Sequence, residues 1–293
     1  MIPDQSLFGL LDGGTPANSS ISVVMIRAKS LGPLQPGVQI VGYETGASDD
    51  DPALLLAEEG TIQRERLRSG ERLELSLDER HCAGTIDTAG ETARHLACNA
   101  PEVPYCPQHT DRWPCARCTG DCDLPLESCR EEHAIYLAAF APATFKVGVT
   151  RSWRLETRLR EQGADRAAHI RTVENGRIAR QIEADIATDV GDRVRVPTKI
   201  EGLHRTVDTA AWAELLDGYD SLATYSFEYG LELDERPVVE TMATGTVRGS
   251  QGRVLVLERS GSTYAVDMRD LVGYEVSRGA ASRQLQSSLS AFE

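Results

Sequence analysis

Apolar positions recur with a period of two near both ends of the chain, and with a period near 3.6 only in its middle. Val38-Gln-Ile-Val-Gly-Tyr is rich in β-formers, and Glu71 to Leu77 places Leu73, Leu75 and Leu77 on one face. Toward the other end, Gly245 to Glu258 and Thr263 to Asp267 read as short strands joined by glycine turns. Neither end holds enough strands to be stable alone. The pattern therefore predicts that segment 38–80 pairs with 238–277 in a small antiparallel β-barrel or sandwich.

The middle differs. Ala134 to Phe140 and Phe145 to Thr150 are strands by their composition. Ser152 to Gln162 has helical spacing, with Leu155 and Leu159 as its buried stripe and Gly163 as its terminator. Ala168 to Val173 offers a third strand. Arg177 to Asp189 is a second helix, with Ile178, Ile182 and Ile186 inward and Glu183 at the edge of that stripe. Thr209 to Leu216 is a short helix that carries Trp212 into the core. The fold class is α+β, in the order strand, strand, helix, strand, helix through the middle. Turn-rich residues 1–37 read as a disordered leader, 201–237 as a helical connector and 278–293 as a loose tail.

Charge narrows the setting. The 293 residues carry a net −14, with 45 acidic against 31 basic side chains, and only Lys29, Lys146 and Lys199 are lysines. An acidic, lysine-poor chain points to a halophilic archaeal host. Against that background the stretch His133 to Arg205 stands out, with 13 basic and 9 acidic residues. A local positive surplus suits a polyanion, DNA or RNA, as partner. No apolar run approaches the ~20 residues of a membrane helix, and no secretory signal pattern opens the chain, so a cytoplasmic location is expected.

All seven cysteines fall between Cys82 and Cys129. Seven thiols and His109 make eight ligands, enough for two closed tetrahedral shells of structural Zn²⁺ within 81–132. The spacing assigns Cys82, Cys98, Cys106 and His109 to one ion, and Cys115, Cys118, Cys122 and Cys129 to the other. Interleaved pairing, His81 or His95 as the imidazole, an iron–sulfur cluster on the four thiols, and metal-free cysteines stay open. Tyr105 and Trp113 beside the thiols either pack on the zinc turns or stack on bases.

Over residues 133–190 the chain resembles the GIY-YIG nuclease superfamily. Ile135-Tyr136 resembles the end of its first signature, and Lys146-Val147-Gly148 its second, with Lys146 where many members carry Tyr. Arg158 and Glu183 match its phosphate-contacting Arg and metal-binding Glu, whereas its downstream Asn has no counterpart after Asn175. The resemblance implies a ββαβα core over 133–200 and Mg²⁺-dependent endonuclease chemistry at Tyr136, Lys146, Arg158 and Glu183. Arg151 and Arg154 would then serve as further nucleic-acid contacts. Over 38–276 the chain also resembles a larger zinc-binding family of unknown function, which implies no activity. The alternative is a DNA- or RNA-binding protein, or an interaction scaffold, without cleavage. In it Arg158 solvates a helix face and Glu183 pairs with Arg180. Oligomeric state is not written in the sequence.

Overall fold

The computed structural model describes residues 37–46, 50–90, 92–110, 118–121 and 127–279. The leader (apart from Gly37), most of the tail, Trp113, Cys115 and Cys122 lie outside the described residues. Mixed α and β elements form two sheets, with helices packed chiefly on the smaller one.

The chain first lays down β1 (Val38–Glu44), β2 (Ala53–Glu58), β3 (Thr61–Arg66) and β4 (Arg72–Arg80), then the three-residue strands β5 (Thr85–Asp87) and β6 (Arg94–Leu96). Glu59 and Gly60 make the two-residue β2–β3 turn, both at positive φ, as the twist of a tight hairpin requires. After the cysteine segment come β7 (His133–Phe140), β8 (Thr144–Arg151), α1 (Leu155–Gln162), β9 (Arg166–Val173) and α2 (Gly176–Val190). Next are α3 (Val196–Gly202), α4 (Thr209–Leu216) and β10 (Ala223–Ser226). The last elements are β11 (Val238–Val239), β12 (Ala243–Gln251), β13 (Val254–Arg259), β14 (Ser262–Asp267), α5 (Met268–Leu271) and β15 (Tyr274–Arg278).

Strands from the two chain ends interleave in one eleven-stranded sheet, ordered β11-β14-β13-β12-β4-β15-β1-β2-β3-β6-β5. Leu73 and Leu75 are buried in its core with Ile40, Leu54, Leu255 and Val266, and Leu77 packs partly buried against them. The expected small barrel is corrected: the sheet is open. Its outer strands are the two-residue β11, parallel to β14, and the three-residue β5, too short to meet and close a ring.

The second sheet is antiparallel, ordered β10-β9-β7-β8. Its central β7 is buried from Ala134 to Phe140 because both faces are covered. Tyr136, Ala138 and Phe140 face Leu155 and Leu159 of α1, whereas Ile135, Leu137 and Ala139 face Ala179 of α2 and Trp212 of α4. On α2 the fully buried position is Ala179, with Ile182 and Ile186 partly buried, so the stripe is rotated from the one led by Ile178. The region read as a helical connector supplies an edge strand, β10, whose exposed Ala-Thr-Tyr-Ser pattern carries little periodic signal. The side-chain amide of Gln251 ties the sheets together, donating to Gly163 O at 2.9 Å and Asp165 Oδ1 at 3.0 Å.

Candidate functional site

The ligand atoms of Cys82, Cys98, Cys106 and His109 all lie within 4.8 Å of one another. Local backbone builds this cluster. Cys82 follows the end of β4, and Cys106-Pro-Gln-His109 forms a turn closed by the His109 N–H on Cys106 O at 3.0 Å. The Cys106 N–H donates to Cys82 Sγ at 3.2 Å, and the imidazole Nδ1 lies 3.3 Å from Cys106 Sγ. Burial disfavours the Cys106 thiolate, but N–H groups of Gln108 and His109 with the Cys82 and His109 side chains outweigh it, bringing the thiol to about 7. Burial holds Cys82 above its ordinary value, against the N–H groups of Cys106 and Gly84. Gly84 is required there: it sits at φ +64°, and a Cβ would run into the Leu96 carbonyl. Sulfurs pointing together and receiving backbone N–H groups are the donor set of a closed metal site, and Cys₃His suits zinc.

The rival imidazoles are otherwise engaged. His81 Nδ1 lies 2.9 Å from Cys98 O, and His95 Nε2 lies 2.8 Å from Ala83 O, where each braces the cluster's backbone. Of the second cysteine group, Cys118 and Cys129 are described and both line the cleft considered next, while Cys115 and Cys122 fall outside the described residues. His133 lies close to Cys129, since a Cβ on Gly176 would be 2.9 Å from His133 Nε2 and 3.1 Å from Cys129 Sγ. Tyr105 faces the guanidinium of Arg269, 6.0 Å from its ring centroid.

A cavity of about 660 Å³ opens at the free edge of β8. Tyr136, Lys146, Arg151, Arg154, Arg158 and Glu183 all line it. Seven basic and two acidic residues make up its charged lining, so it favours an anion. Tyr136 is 1% exposed, and its hydroxyl accepts a hydrogen bond from Gln162 Nε2 at 2.6 Å. Opposite it on β8 stands Gly148, where a Cβ would lie 2.5 Å from the phenol oxygen. Gly148 thus makes room for the Tyr136 ring. Burial works against the charge of Arg158, yet Tyr136 and Glu161 outweigh it and hold the guanidinium above its ordinary value.

Glu183, one of the two lining acids, is partnered, and Glu161 and Glu131, outside the lining, pair with the cavity's arginines. Glu183 is 12% exposed and accepts from Arg180 at 2.7 Å. Glu161 receives Arg154 at 2.9 Å and Arg158 at 3.2 Å, and Glu131 receives Arg151 at 3.0 Å. Lys146 reaches Asp192 O at 3.3 Å.

Sequence reasoning missed Gln162, Lys199 and Arg193. Gln162 is a bridge: its amide holds Tyr136, and its carbonyl accepts from Lys199 Nζ at 2.6 Å. Lys199 also sits over the Phe140 ring at 4.4 Å. Burial, aided by Lys146, Arg253 and Arg158 against the opposing Asp267, brings its amine down to about 7. The sequence carried no signal for Lys199 beyond the scarcity of lysine, since its place in the cavity follows from the fold.

These features define a two-sheet α+β protein with a Cys₃His metal-type cluster and a separate basic cleft. Residues 70–276 match the model of the family described as Protein of unknown function (DUF2797), and the chain belongs to that family. No curated protein and no solved structure matches it.

Proposed function

We propose that the chain is a zinc-stabilised nucleic-acid-binding protein whose cleft cleaves phosphodiesters with a divalent metal, as a GIY-YIG-like endonuclease. The observation that carries this reading is the convergence of Tyr136, Lys146, Arg158 and Glu183 on one cavity lined by seven basic and two acidic residues. Arg158, with Arg154 and Arg151, clamps the phosphate in a forked geometry that an ammonium lacks. Tyr136 and Lys146 orient the attacking water. Glu183 would hold a Mg²⁺, an ion that accepts one carboxylate and keeps most of its waters, and whose charge offsets that of the phosphorane-like transition state when bound. To hold the ion the Glu183 carboxylate would have to give up its pairing with Arg180. Structural zinc on Cys82, Cys98, Cys106 and His109 fixes the segment between the sheets, and a second zinc belongs to Cys115, Cys118, Cys122 and Cys129.

Cleavage and binding of mixed DNA and RNA, with and without Mg²⁺, test the reading. Glu183→Ala is expected to abolish cleavage while the thermal melt stays within a few degrees of the parent. Arg158→Ala is expected to weaken binding about tenfold and to flatten its salt dependence. Absence of cleavage in the parent under all metals sinks the catalytic part. The tight Arg180–Glu183 pair favours a second reading, binding without cleavage, in which Glu183→Ala leaves affinity intact.

A further inference from the structure

A larger cavity, about 1270 Å³, runs from α1 and the 191–195 loop to the face of the eleven-stranded sheet, where Arg64, Arg253 and Tyr43 line it. It shares Arg154, Arg158, Gln162, Arg193, Val194 and Lys199 with the cleft, so the two spaces adjoin. Its volume exceeds the ~300–1,000 Å³ of small-molecule pockets, which points to a segment of polymer.

Three side chains here have no use in the cleft chemistry. Trp153 stands on the rim, 54% exposed, in the single 3-10 turn before α1. Its indole N–H donates to Glu131 Oε2 at 2.8 Å, and Arg151 lies over the ring at 4.6 Å, which together fix the ring's orientation. Arg193 and Arg195 are exposed, and among the described residues neither guanidinium has a hydrogen-bond or ion-pair partner. By contrast Arg64, Arg154 and Arg253 are already matched by Glu44, Glu161 and Asp267. Arg193 and Arg195 are therefore guanidinia without a carboxylate partner in the cavity that the exposed indole also lines, which holds Asp50 and Lys199 besides.

We infer that the larger cavity is the track of an unpaired nucleic-acid strand entering the cleft, with a base stacked on Trp153 and phosphates on Arg193 and Arg195. A base inside a duplex has no free face for an indole, whereas in single strands such stacking contributes substantially and tolerates any sequence. This rests on the polyanion reading of the cleft and adds its substrate class: a strand end, flap or loop.

The test is binding of a twelve-residue oligothymidylate and of a twelve-base-pair duplex to the full chain at several salt concentrations. Trp153→Ala is expected to weaken oligothymidylate binding about tenfold and duplex binding less than twofold, with Trp153→Phe recovering most of the loss. The double variant Arg193→Gln/Arg195→Gln, on an exposed loop, is expected to lower the salt slope for the single strand by about 1.4. Unchanged oligothymidylate affinity in both variants, or equal losses on both ligands, overturns the inference. If those variants are silent while Glu183→Ala abolishes cleavage, the inference falls and the function stands. If they behave as expected but the parent never cleaves, the strand track stands and the catalytic reading falls. No binding of either ligand by the parent at low salt sinks both.

Discussion

The Cys82–His109 cluster and the cleft at the edge of β8 both gather titratable side chains from distant positions, but they treat them oppositely. In the cluster the ligand atoms point at one another, two of the three thiols are buried, and backbone N–H groups donate to the sulfurs of Cys82 and Cys106. In the cleft Arg151, Arg154, Arg158 and Arg180 are each held by a carboxylate and stand along an open space. Inward convergence makes a fastener, because nothing else can approach. Braced groups along a cavity keep their charge and geometry while leaving room for a ligand.

The sharpest way to break this contrast is Cys82→Ser. It removes a ligand at a buried position where no rearranged side chain stands ready, since His81 and His95 hold backbone carbonyls. Structural zinc contributes an apparent ~10–16 kcal/mol to small domains, so loss of several kcal/mol is expected even inside a larger fold. Metal analysis of the purified variant should show less zinc, and its melting temperature should fall by about 10 °C or more. A variant that loses metal yet melts with the parent would show that the cluster fastens nothing.

Gly148→Ala asks the cleft the corresponding question. The added methyl would lie 2.5 Å from the Tyr136 oxygen and 2.6 Å from Cζ, on a ring that is 1% exposed and cannot swing away. Overpacking of this kind costs about 1–3 kcal/mol. The expected outcome is a melt lower by several degrees, with cleavage falling more than binding because the phenol leaves Gln162. Equal melts would mean that the β7–β8 pair has slack and that the glycine is incidental.

How much of this was readable beforehand follows from where the information lies. β7, β8 and α1 were legible because local composition decides them: an unbroken apolar run, β-branched residues, and Gly163, which ends α1 at φ +68° in the left-handed region. The grouping of Cys82, Cys98, Cys106 and His109 was one pairing the spacing suggested, with interleaved pairings left open. Only Cys106 and His109 share a local turn, and the meeting of the other thiols depends on the fold. The sheet order was not legible, because pairing β4 with both β12 and β15 depends on contacts across the length of the chain. β10 was invisible for lack of apolar alternation. Gln162 was visible only as the last residue of a helix. Its role arises from a cap geometry that turns its carbonyl to Lys199 while its amide reaches Tyr136.

Lys199 gives the smallest expected effect and the finest distinction between the two regions. At Cys106 donors aimed at the sulfur outweigh burial, but Lys199 has the Gln162 carbonyl, the Phe140 ring and the charge of Asp267, and its cationic neighbours Lys146, Arg253 and Arg158 oppose its charge. Its folded-state value, about 7, lies below the ordinary 10.5. Below pH 7 the amine is charged in both states, so the full burial penalty weighs on the fold. Between pH 7 and 10.5 the folded chain has released a proton that the unfolded chain still binds, and stability rises with pH. Lys199→Met removes the burden. Its melting temperature is expected to exceed the parent's by a few degrees at pH 6, with the gap narrowing by pH 9.5 as the parent recovers. A gap that is constant with pH would mean that the amine is solvated through the cavities it lines. A variant less stable than the parent at both pH values would make the Gln162 and Phe140 contacts outweigh the burial, and Lys199 would then be a fastener like the cysteines.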